Sequence, residues 1–429
     1  MRESGILMHI TSLPAPYGIG TMGKDAYAFV DFLVRAGQRY WQILPLTPTG
    51  YGDSPYQSLG ACAGNHYLID LDRLADEGLL KKEEIQNIPW GSNPARVDFG
   101  AMYAHRMNVL RQAFQRFTPD GAYETFVEQN RSWLEDYALF MSLKDLHQGR
   151  SWHEWSPQYQ VLDTRTRKAA LTELADSITY YQFIQFIFFK QWHELKLYAN
   201  KKGISVIGDI PIFVSPDSAD VWANQSLFKL DSKGFPTAVA GVPPDYFSKT
   251  GQLWGNPLYN WAEHKKTGYA WWISRIRQQL QLVDYLRIDH FRGFESYYSI
   301  PAEDKTAEFG HWEPGPGMDL INTLKEKLGE VSIIAEDLGF LTDSVRQMLA
   351  DSGFPGMKVL QFAFDAREKS DYLPHNYEKN SVVYTGTHDN DTTRGWYETM
   401  SAEDRAFAVK YMNNPYTLPS GISWDFIRL

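Results

Sequence analysis

What most constrains this chain is a recurrence. Short apolar runs rich in β-branched residues alternate with amphipathic stretches along most of its length. The runs read as strands at 5–10 (GILMHI), 39–46 (RYWQILPL), 204–213 (ISVIGDIPIF), 284–291 (DYLRIDHF), 331–339 (VSIIAEDLG), 357–364 (MKVLQFAF) and 381–389 (SVVYTGTHD). Several are continuously apolar, as strands covered on both faces of a parallel sheet are. Helical stretches at 23–37, 181–203, 271–283, 319–329 and 342–353 precede the second to the sixth of them. The expectation is an α/β fold, specifically a (β/α)8 TIM barrel with large insertions.

The spacing is uneven. The segment between the second and third runs is far longer than an ordinary connection, so residues 61–199 are expected to be an inserted, mostly helical subdomain. The catalytic barrel is then discontinuous, over 1–60 and 200–429. Residues 214–275, rich in Gly, Pro and aromatics, read as a long insertion or lid over the site. Seven runs are one fewer than a barrel needs, and the sequence stops at SGISWDFIRL. The expectation is a C-terminally shortened chain that lacks the last strand.

Composition narrows the partners. With 42 basic against 52 acidic residues the net charge is −10, which disfavours nucleic acid and anionic membranes. Cys62 is the only cysteine, pointing to a reducing compartment and a cytoplasmic protein. The opening MRESGILMHI holds no apolar stretch of signal-peptide length. The greasiest run, YYQFIQFIFFKQW at 180–192, is too short and too interrupted by Gln and Lys to span a bilayer. Fourteen tryptophans and 25 tyrosines suit either a large aromatic core or the apolar faces of sugar rings.

Three motifs fail on inspection. GIGTMG at 18–23 is not fed directly by a strand, and the next strand ends without an acid, so it is a turn rather than a dinucleotide loop. DNDTTRG at 389–395 has Arg394 and Met400 where a calcium loop needs Gly and Glu. His9, His290 and His388 lack metal-ligand spacing, so no metal and no cofactor are expected.

Side chains at the C-terminal ends of barrel strands meet at one face. Those ends carry His9, Asp209, Arg287 with Asp289 and His290, Glu336, and His388 with Asp389. Four strands thus deliver a carboxylate toward one point, the set that glycoside cleavage uses. Arg287, two residues before Asp289 and so on the same face, is expected to depress that carboxyl and keep it ionised as a nucleophile. Glu336, without a cation as near in sequence, would keep its proton as the acid. His290 and His388 would be neutral partners for sugar hydroxyls.

Long strings then resemble one family, the 4-α-glucanotransferases known as amylomaltases or disproportionating enzymes, related to α-amylases. They are GILMHITSLPAPYGIGTMG, WQILPLTPTGYGDSPYQS, GDIPIFVSPDSADVWA, AGVPPDYFSKTGQLWGNPLYNW, LRIDHFRGFESYY, IAEDLG and GTHDNDTTRGW. The resemblance implies Asp289 as nucleophile, Glu336 as acid/base and Asp389 as transition-state stabiliser. It implies that Arg287, His388, Asp209 and Tyr56 line the cleaved sugar's subsite, and that Gln252, Trp254 and Tyr246 meet the acceptor. It departs from the family at the end, where a Gln-Asp-Leu-Leu-Gly-Leu-Gly type motif is absent. The expected function is transfer of α-1,4-glucan segments between malto-oligosaccharides by a retaining mechanism. A hydrolase of the same chemistry and a non-catalytic glucan-binding protein stand as alternatives.

Overall fold

The computed structural model describes residues 2–93, 95–245, 248–339, 341–367 and 369–429. Its strands are β1 (Gly5–Leu7), β2 (Tyr40–Gln42), β3 (Ser205–Pro211), β4 (Ala238–Val242), β5 (Gln252–Pro257), β6 (Tyr285–Asp289), β7 (Ser296–Pro301), β8 (His311–Pro314), β9 (Ile333–Ala335), β10 (Gly356–Val359) and β11 (Ser381–Tyr384). Five of them pair in parallel in the order β1-β2-β3-β6-β9, and β10 pairs with β11, also in parallel. Six of the seven runs read from the sequence contain one of these strands whole, β10 begins one residue before its run, and each strand is shorter than its run.

The sequence predicts a (β/α)8 barrel that lacks its last strand. The described residues instead form two parallel sheets. Across the β9–β10 junction the Ala335 N–H donates to the Pro355 carbonyl (2.9 Å), and the Met357 N–H donates to the Asp337 carboxylate (2.6 Å). The ladder breaks because a side chain takes the amide that a continued ladder would use. On the other side, the Tyr384 hydroxyl of β11 donates to Gln42 of β2 (2.7 Å), so the two sheets share an interior.

Alternation along the strands sorts the side chains. Trp41, Val206, Ile210, Leu286, Ile288, Ile333 and Ala335 point outward into the main core, against the helices. Ile207, Ile334 and Met357 point inward with Tyr40, Tyr285 and Tyr384 in a small separate cluster that floors the site. The helix Lys24–Arg35 buries Ala26, Val30 and Leu33, a stripe at helical spacing. The helix Ala175–Lys201 explains the glutamines inside the greasiest run. Gln185 bonds both the N–H and the carbonyl of Gly64 (2.6 and 3.0 Å), and Gln191 does the same for Asp70 (2.7 and 3.2 Å). Each buried amide acts as a length of backbone for a segment that has no strand partner.

The region expected as a plain lid contains structure the sequence did not announce. β4 and β5 join β7 and β8 in an antiparallel sheet ordered β5-β4-β7-β8. Among the described residues no helix is long and apolar enough to cross a membrane.

Gly208 of β3 lies on the outward face, where an added Cβ would come within 2.6–3.2 Å of three carbons of the Val283 side chain. Valine is stiff at χ1 and cannot swing aside. Gly208→Ala is expected to lower the unfolding free energy by about 1–3 kcal/mol, read from the denaturant midpoint. An unchanged midpoint would mean that this contact is not tight.

Candidate active site

The register of the parallel sheet builds the site. Asp209 lies directly opposite Arg287, and Ile288 opposite Ala335, so Asp289 and Glu336 each stand one residue beyond the same rung. By alternation all four face the interior. Adjacent parallel strands lie about 4.8 Å apart, which brings the two acids to the mouth side by side.

Arg287 is the hub, with its side chain 3% exposed. One terminal nitrogen donates to both Asp209 oxygens (2.8 and 2.7 Å), the other to Asp289 (2.8 Å), and Nε contacts the Met357 sulfur at 3.3 Å. The Tyr56 hydroxyl donates to Asp209 (2.7 Å) and lies 2.7 Å from the His388 Nε2. With its only proton on the carboxylate, Tyr56 must accept from His388, which fixes the Nε2–H tautomer. The two rings also stack, 5.5 Å apart at 5°. A continuous chain thus runs from His388 through Tyr56, Asp209 and Arg287 to Asp289.

Glu336 is held by backbone. His290 adopts left-handed φ 55° and ψ 45°, uncommon for a residue with a Cβ, and this turns its N–H onto one Glu336 oxygen (2.7 Å). The Leu338 N–H takes the other (2.7 Å). Asp389 stands apart in the turn after β11, its side chain 69% exposed and 3.3 Å from the His388 Nε2. That turn is pinned by Asn390, whose side-chain oxygen accepts from the Thr387 N–H (2.8 Å) and hydroxyl (3.0 Å). From β5, Trp254 meets the His290 ring edge-on at 4.8 Å and donates to Gln252 (3.1 Å). Tyr246 lies outside the described residues. His9 is buried, and its Nδ1 accepts from the Leu44 N–H (3.2 Å).

The electrostatics correct one expectation. Arg287 was expected to hold Asp289 below the carboxylate range. Burial outweighs it, and with the nearby Glu336, Asp209 and Asp389 pushes Asp289 up to about 7 against the guanidinium's pull. Burial raises Glu336 too, opposed by Arg287 and by the Leu338 and His290 amides. One guanidinium faces three interior carboxyl groups, so the cluster favours retaining a proton. The histidines are neutral: burial lowers His290 to about 3 and His9 to about 4, and it lowers His388 as well.

Sequence reasoning named the acids, the arginine and the tyrosine, and passed over what positions them. Met357 carried no chemical signal. Thr387 and Asn390 did, because T-x-x-N is a side-chain-capped turn. Among the described residues no group of three or more His, Cys, Asp and Glu is placed to hold a metal. A cavity of about 680 Å³ lies elsewhere, lined by Phe117, Phe126, Phe186, Phe189 and Trp192.

Paired carboxyl groups at the ends of parallel strands, set around one guanidinium and beside Trp254, are the kind of set used by α/β enzymes that act on glycosidic bonds. Known proteins narrow this further. The family model described as 4-alpha-glucanotransferase matches residues 8–429. A 4-alpha-glucanotransferase of Clostridium butyricum is 50% identical over 98% of this chain and 87% of its own length, and one of Thermus thermophilus is 49% identical over 96% and 83%. The solved amylomaltase of Streptococcus agalactiae in complex with acarbose superposes with a TM-score of 0.96 at 46% identity, over 100% of this chain and 87% of that one. The chain belongs to the 4-alpha-glucanotransferase family, and its fold is α/β of the TIM-barrel type.

The raised Asp289 carboxyl has a consequence for stability. A carboxyl raised from about 4 in the unfolded chain to about 7 in the fold contributes stability that is complete below pH 4 and lost as pH rises toward 7. Asp289→Asn removes the half-buried charge while Arg287 keeps Asp209. It is expected to melt above the wild type at pH 8, with the gap closing toward pH 5. A constant gap across that range, measured by thermal unfolding, would show that Asp289 titrates normally.

Proposed function

We propose that this chain is a 4-α-glucanotransferase that moves α-1,4-glucan segments between malto-oligosaccharides by a retaining double displacement. The observation that carries the reading is the placement of Asp289 and Glu336 one residue past a shared rung of adjacent strands. Retaining enzymes need carboxyl groups roughly 5–5.5 Å apart and inverting ones about 6.5–9.5 Å, and one strand spacing suits the former.

The steps assign roles. Asp289 attacks the anomeric carbon of the donor while Glu336 gives its proton to the departing glycosidic oxygen, leaving a glucosyl ester on Asp289. The 4-hydroxyl of a second glucan then gives its proton to Glu336 and displaces Asp289, which regenerates both groups. Asp389 stabilises the positive charge that develops on the sugar ring. Arg287, Asp209, Tyr56, His388 and His290 line the pocket of the cleaved sugar. Gln252 and Trp254, with Tyr246, receive the acceptor and exclude water.

The same reading takes residues 61–199 as an inserted helical subdomain, 1–60 and 200–429 as the catalytic barrel, and 214–275 as the lid. It takes the seven parallel strands as the wall of a (β/α)8 barrel whose eighth strand is not among the described residues. The interior shared through Tyr384 and Gln42 supports this. The net charge of −10 and the lone cysteine support a cytoplasmic enzyme working on maltodextrins, without nucleic-acid or membrane partners.

The test is a product ladder from maltotriose. Glucose together with oligosaccharides longer than the substrate is expected, and Asp289→Asn abolishes both. Glu336→Gln should lower kcat by about 10²–10⁴-fold. Glucose and maltose without longer chains would show hydrolysis instead, and an unchanged ladder with sugar still bound would show a binding protein.

A further inference from the structure

None of the roles above uses Asp337, although it is 4% exposed and adjoins Glu336. Its Oδ1 accepts the Met357 N–H at 2.6 Å. Glycine at 356 leaves the space, since a Cβ there would lie 2.7–2.9 Å from three atoms of the Asp337 carboxyl group. This bond crosses the junction where the two parallel sheets meet, beside the Ala335–Pro355 backbone bond of 2.9 Å. Met357, so held, sets its sulfur 3.3 Å from the Arg287 Nε. The sulfur is the partner of that N–H, and the terminal nitrogens go to the two aspartates.

We propose that Asp337 is a positioning residue for glucan transfer: by holding the Met357 amide across the sheet junction it seats the sulfur against Arg287, and so fixes the guanidinium that orders Asp209 and Asp289. Three features converge on this: a buried carboxylate spent on one backbone amide, a glycine whose bareness admits it, and a thioether that reaches the hub. The groups that face Arg287 and respond to its position are Asp209, Asp289, Glu336 and Tyr56. The inference rests on the catalytic reading given above.

The experiment measures kcat, KM and the acid limb of kcat/KM for maltotriose disproportionation, with thermal midpoints, in the wild type and in Asp337→Ala, Asp337→Asn and Met357→Leu. Met357→Leu conserves volume and is expected to fold. It should lower kcat by about 10-fold with KM within about 3-fold, and move the acid limb, because Arg287 loses its lateral support. Asp337→Ala should lose about 10- to 100-fold in kcat, and Asp337→Asn, whose amide oxygen still accepts, should recover most of it. If Asp337→Ala fails to fold, the Met357→Leu result decides. Wild-type kcat and acid limb in Met357→Leu, or losses in the Asp337 variants that only follow the folded fraction, overturn the proposal while leaving transfer intact. A wild type that leaves maltotriose unchanged overturns both.

Discussion

Everything at this site depends on one guanidinium buried among carboxyl groups. Arg287 is nearly inaccessible and binds Asp209 and Asp289 at once. Breaking such a buried pair by removing one partner typically costs about 3–5 kcal/mol, because the group left behind stays buried and uncompensated. Here the loss of Arg287 would strand two carboxylates, so the constraint reaches both strands that carry them. It passes outward as well: Asp209 takes the Tyr56 proton, Tyr56 accepts from His388, and His388 stands beside Asp389. A turn far along the sequence is thereby tied to the interior of β3 without any backbone pairing between them.

The same constraint accounts for the short strands. Glu336 spends its oxygens on the His290 and Leu338 amides, and Asp337 spends one on Met357. These donors would serve a sheet ladder if the strands ran on. Side chains take them instead, β9 stops at Ala335, and the sheet parts at that point. The strand ends are given over to holding the acids, and the helices packed outside supply the stability.

Much of this was legible in the sequence, for physical reasons. Continuous apolar runs mark parallel strands because both faces are covered, and a charged residue at the end of such a run is costly unless it has work there. Asp209, Arg287, Asp289 and Glu336 stood out for that reason. The antiparallel sheet of β4, β5, β7 and β8 was not legible, since its strands are short and gain stability only from partners distant in the chain. Gln185 and Gln191 looked like interruptions of a greasy helix, because the orphan amides that they satisfy belong to residues 64 and 70. The charge balance was misjudged because sequence shows which cation is near and cannot show how deeply the acids are buried.

That balance bears on the chemistry in the proposed reading. Without substrate, the cluster holds one permanent positive charge against three interior carboxyl groups, and burial raises Asp289 and Glu336. A site in this state gains little from a neutral sugar. It gains most from a sugar that becomes positive as the glycosidic bond breaks, because that charge completes the pairing Arg287 leaves unfinished. Complementarity to the transition state rather than to the ground state is what lowers a barrier. Under this view the elevated carboxyls are the binding energy for the oxocarbenium-like sugar, held in reserve by burial. In the same reading Trp254, whose ring meets His290 edge-on, would limit the water that screens it.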